Sequence, residues 1–75
     1  MSTNEQKVTI LTNDKDKNLI EITDLENYII NLDIQIASNL SMNDSYEVEK
    51  TNSADKIIEL ESANSIIDDM IADYS

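Results

Sequence analysis

Asp14, Asp16 and Asn18 carry side-chain oxygens at alternate positions, the spacing with which a calcium-binding loop opens. Such a loop continues with a glycine at its sixth position, for the sharp turn, and a bidentate glutamate at its twelfth. Counted from Asp14 these positions are Leu19 and Leu25, so the calcium reading fails. The run NDKDKN is better explained as a turn rich in Asn and Asp, which bond their own backbone. Catalysis has little to draw on. The chain has no His, Cys or Arg, and no pair among its carboxylates, lysines, tyrosines and serines is spaced as a tuned acid and base. The sequence therefore reads as that of a protein that is not an enzyme and uses no cofactor or metal.

Charge is the strongest functional signal. Sixteen acidic residues face five lysines, a formal net charge of −11. Binding phosphates takes clustered cations, so neither nucleic acid nor an anionic membrane is an expected direct partner. A basic protein surface is, because opposite charge speeds association and competes with a natural polyanion. The candidate docking face lies in the C-terminal third. At helical spacing Asp55, Glu59, Asp69 and Asp73 fall on one side, Glu61 and Asp68 flank them, and Ile58 and Ile66 project from among them. Lys56 is the one cation from Ala54 to Ser75. Like charges four residues apart oppose helix formation, so selection for stability alone would interleave lysines.

These faces need elements to carry them. From Thr23 to Met42 the chain reads as a central helix, with Thr23 and Glu26 in the pattern of a capping box. One apolar stripe holds Leu25, Tyr28, Ile29, Leu32, Ile36 and Leu40, and a second, on the far side, holds Ile30, Ile34 and Ala37. Two stripes predict contacts on both sides. Residues 53 to 74 read as a second helix with Ile57, Leu60, Ile67, Ile71 and Tyr74 inward and Asn64 within the same stripe. Seven-residue spacings run through Ile22, Leu25, Ile29, Leu32 and Ile36, and through Ile57, Leu60, Asn64, Ile67 and Ile71. At two to three heptads they are short for a coiled coil.

Ahead of the central helix, KVTILT and LIEIT are β-branched and flank the polar NDKDKN, the pattern of a β-hairpin over 7–23. Its apolar face would cover Ile30, Ile34 and Ala37. Residues 1–6 read as frayed, and 43–52 as a connecting loop, with a short third strand at 46–50 as an option. The expected class is thus α+β, a single small domain over 1–75 with an N-terminal β-hairpin on two antiparallel helices. The alternative is an all-α helical hairpin, alone or as a dimer. With no basic leader and no long apolar stretch, a cytoplasmic location is expected.

The functional expectation is a small acidic protein that docks on a basic partner, such as a nucleic-acid-binding protein, and inhibits it by occupying the nucleic-acid site. In size and acidity the chain is similar to small phage-encoded blockers of host defence enzymes, including anti-CRISPR and DNA-mimic proteins. That likeness is compositional and implies no particular residues. The alternative function is a helical dimerisation or adaptor protein whose charge only keeps it in solution, meeting its partner, a homodimer mate included, through Ile30, Ile34, Ile58 or Ile66.

Overall fold

The computed structural model describes residues 3–38 and 43–75, which form two antiparallel helices, α1 (Asn4–Ser38) and α2 (Asn43–Tyr74). α1 begins with a reciprocal cap. The Thr3 amide donates to Gln6 Oε1 at 2.9 Å and the Gln6 amide donates to Thr3 Oγ1 at 3.1 Å, which satisfies two of the donors that a first turn leaves unpaired. The first intrahelical bond runs from the Lys7 amide to the Thr3 carbonyl, and nothing then interrupts the helix for 35 residues. The chain has neither Gly nor Pro to break it.

The β-hairpin expected over 7–23 is therefore absent, and the α+β class gives way to the all-α helical hairpin. The physical reason is the small size of the penalty that β-branched residues impose on a helix. Val8, Thr9, Ile10 and Thr12 each cost at most about 0.7 kcal/mol in helix propensity. An isolated two-stranded ribbon is marginal and leaves both edges unpaired, whereas the helix satisfies its backbone internally. Hydroxyls also find partners within it: Thr9 Oγ1 donates to the Glu5 carbonyl and Thr23 Oγ1 to the Leu19 carbonyl. Thr23 and Glu26 thus lie mid-helix, and the true capping box is Thr3 with Gln6. The frayed segment expected at 1–6 is helical from Asn4, while residues 1 and 2 lie outside the described residues. The loop or strand expected at 43–52 is the first part of α2. The expected C-terminal end of the central helix, 39–42 with Leu40, lies outside the described residues.

What joins the helices is a longer heptad than the apolar residues alone mark out. Val8, Leu11, Lys15, Asn18, Ile22, Leu25, Ile29, Leu32 and Ile36 follow one another at alternating spacings of three and four, and all are buried or half-buried. Asn43, Tyr46, Lys50, Ser53, Ile57, Leu60, Asn64, Ile67, Ile71 and Tyr74 do the same on α2. This is an antiparallel coiled-coil seam along nearly the whole of both helices. Its register is read from the Asn18–Asn64 hydrogen bond, Nδ2 to Oδ1 at 2.9 Å. That pair sets Ile22 level with Leu60 and Leu25 level with Ile57. Asn64 is buried, and its own amide reaches the Lys15 carbonyl at 3.5 Å, so a polar layer with specific partners sits where any other register would leave it unpaired.

The molecule is a rod, 56 × 16 × 14 Å, with a radius of gyration of 17.0 Å. A compact domain of this length would have a radius near 11 Å. Two helices bury one side of each and no more. Ile22, Leu32 and Leu60 are the buried apolar residues among those described, and Ile30, Ile34 and Ala37, expected to lie under the hairpin, face solvent.

Candidate docking faces

α2 turns one side to α1 and the opposite side to water. On that outer side stand Asp55, Glu59, Asp69 and Asp73, all exposed, with Ile58 and Ile66 each 61% exposed among them. The helix spacing expected from the sequence brings these residues to one face. It divides them into two carboxylate pairs, each one turn apart, separated between Glu59 and Asp69 by about 15 Å of helix axis. Among the described residues, Asp55, Asp69 and Asp73 have no ion-pair partner, and Glu59 meets Lys56 only at 3.7 Å. Glu61 lies at the side of the helix. Asp68 is spent on the hairpin itself: Lys15 Nζ reaches its Oδ1 at 2.7 Å across the seam. Asp68 is thus a structural residue as much as a surface one.

Folding 43–52 into α2 extends this face in a way that sequence reasoning missed. Asp44 and Val48 join it, and the carboxylates from Asp44 to Asp73 span about 44 Å. The signal was there in Asn43, Tyr46, Lys50 and Ser53, which keep heptad phase with Ile57 and Leu60 although none is aliphatic.

Lysines at seam positions explain how so acidic a chain closes. Lys15 and Lys50 occupy places where an aliphatic residue is usual, run their stems along the seam and deliver their ammonium groups to carboxylates on the other helix. Lys50 Nζ lies 2.7 Å from Asp33 Oδ1. That hydrogen bond, and then the charge of Asp33, raise the Lys50 pKa above its ordinary value. Beside it the Tyr28 hydroxyl bonds to Glu49, and this bond, with burial and the Glu49 charge after it, raises the tyrosine pKa. Both groups are held in their protonated forms by folding. Their contribution is therefore complete at neutral pH and is lost only as pH rises beyond the ordinary Tyr and Lys range, near 10. At the far end Lys7 Nζ stands 5.1 Å from the Tyr74 ring centroid, a cation–π contact between the two termini of the hairpin.

The calcium-like run has no site geometry. Positions 14, 16 and 18 lie about 200° apart in turn around α1 and cannot converge on one ion, and Asn18 is committed to Asn64. Among the described residues no three carboxylates gather as a metal site would require, and no helix is long and apolar enough to cross a membrane. No protein-family model matches the chain, and no curated protein or solved structure matches it either.

Proposed function

We propose that this protein is a non-enzymatic binding module that docks the outer face of α2 on a basic surface of a protein partner. The observation that supports it is a helix face of 44 to 73 with five outward carboxylates and no outward cation, interrupted by exposed Ile58 and Ile66. Charged residues that steer association around apolar ones that lose water on contact are the composition of a docking surface.

Charge density bears on the finer reading, a nucleic-acid mimic that inhibits its target. Duplex DNA carries one charge per about 1.7 Å of axis. The α2 face carries one outward carboxylate per about 9 Å. Each pair, Asp55 with Glu59 and Asp69 with Asp73, suits one lysine or arginine cluster. The partner contact is therefore a few discrete ion pairs around an apolar patch, made on a nucleic-acid-binding protein without copying a phosphate ladder.

Affinity capture from a lysate, with nuclease treatment and with parent and D69K/D73K baits, tests the proposal. The parent should retain basic proteins whose binding weakens with rising salt, because a Debye length of about 8 Å screens exposed pairs. The reversed bait, still helical by circular dichroism, should lose them. Equal retention by the two baits would sink the α2 face as the docking surface.

A further inference from the structure

We infer that the outer face of α1 is a self-association surface, and that two copies of this chain pair antiparallel along it about a two-fold axis. Ile20, Thr23, Asn27, Ile30, Ile34 and Ala37 point away from α2 at alternating spacings of three and four, a second heptad seam on the back of the first. Ile20 is 64% exposed, and Ile30 and Ile34 are each 56% exposed.

The face is complementary to itself. Pairing it antiparallel with the same layering that the intramolecular seam uses, first-position residues opposite fourth-position residues, sets Ile20 against Ala37, Thr23 against Ile34 and Asn27 against Ile30 of the second copy. The two-fold repeats each layer. Every isoleucine then meets a smaller side chain, the alternation by which facing layers interdigitate. An isologous contact needs this kind of self-match, and an unrelated partner would have no reason to produce it.

Charge points the same way. In a chain of net charge −11, Asp24 is the lone charged residue among the positions from Ile20 to Ser38 that point directly away from α2. A basic partner would gain little there, whereas two copies of an acidic chain can approach only where carboxylates are sparse. The one like-charge approach at the edge brings Glu26 near Asp33 of the second copy, and Asp33 is already met by Lys50 at 2.7 Å. Pairing through α1 also leaves both α2 faces on the outside, far apart. The seam is about 26 Å long and about 10 Å wide, a footprint of about 260 Å² on each copy, which places the pair among weak, concentration-dependent interfaces. It gives the thin core of the hairpin a second layer.

Light scattering and sedimentation of the full chain at rising concentration test this. The mass should move from 8.5 kDa toward twice that value. I34D should restore the single-chain mass with helicity kept, and I10D, on an exposed side position outside the seam, should leave the pair intact. Since the chain has no cysteine, mixing T23C and I34C variants in equal amounts gives a second readout that does not depend on I34D folding: mixed disulfides should exceed the half that random pairing would give. A parent that keeps the single-chain mass up to millimolar concentration overturns the inference and leaves the face to a different protein. A dimer that survives I34D, or random disulfide pairing, overturns it as well.

Discussion

The two helices are built on the same heptad, yet their outer faces differ in kind. From Ile20 to Ser38, the back of α1 carries Ile20, Ile30, Ile34 and Ala37 among polar residues that are almost all uncharged; from Asp44 to Asp73, the back of α2 is anionic with isolated apolar residues. Both helices devote an inward stripe to the same seam, and that stripe alone determines the hairpin. The outer stripes are free of this constraint, and they have diverged in charge: one carboxylate, Asp24, on the α1 stripe from Ile20 to Ser38, and five, Asp44, Asp55, Glu59, Asp69 and Asp73, on the α2 stripe. Where a fold leaves a surface undetermined, composition there reports on what the surface meets. On this reading one face meets its own kind and the other a basic surface.

The comparison holds only while the seam presents both faces, and Leu32 is its most buried apolar residue. L32A should cost about 2–5 kcal/mol, most of the stability of so small a domain, and should abolish both faces together in a urea melt. A variant that lost only one face would mean that the helices fold separately. A smaller effect concerns α1 alone. T3A removes the acceptor for the Gln6 amide and should lower the unfolding free energy by about 1 kcal/mol, whereas E26A, on an exposed mid-helix position, should stay within about 0.5 kcal/mol of the parent. If E26A were the costlier of the two, helix α1 would begin near residue 23. The smallest effect separates the faces by charge. Asp73 lies four residues from Asp69, in a last turn with no basic residue, so D73N should raise stability by about 0.5 kcal/mol. D16N, on α1 with no like charge three or four residues away, should give no such gain in the same thermal melts. Equal gains would show that the carboxylates of α2 are no more crowded than those of α1.

Much of the inward pattern was legible beforehand. Ile22, Leu25, Ile29, Leu32 and Ile36, and Ile57, Leu60, Asn64, Ile67 and Ile71, fall in heptads by spacing alone, and each is buried or half-buried. The misreadings arose where heptad positions hold polar residues. Lys15 and Asn18 made NDKDKN look like a turn, and Lys50 and Ser53 made 43–52 look like a loop. A polar residue at a seam position is indistinguishable from a break until its partner is known, and the partners here, Asp68, Asn64 and Asp33, lie on the opposite helix. The capping pattern misled for a related reason. Thr23 and Glu26 and Thr3 and Gln6 are equivalent as motifs, and the first pair is no cap because α1 already runs through the residues ahead of Thr23.

Sequence alone determined the helical period of 23–38 and 53–74, the excess of negative charge and the side of α2 on which Asp55, Glu59, Asp69 and Asp73 stand, because all three follow from local spacing and composition. Tertiary structure decided that 7–23 continues α1, that Asn18 and Asn64 set the register, that Asp68 serves the hairpin through Lys15, and that Ile30 and Ile34 face solvent. Each of these depends on a residue some tens of positions away. Weak local preferences of a few tenths of a kcal/mol yield to such contacts when a long helix can bury a continuous seam.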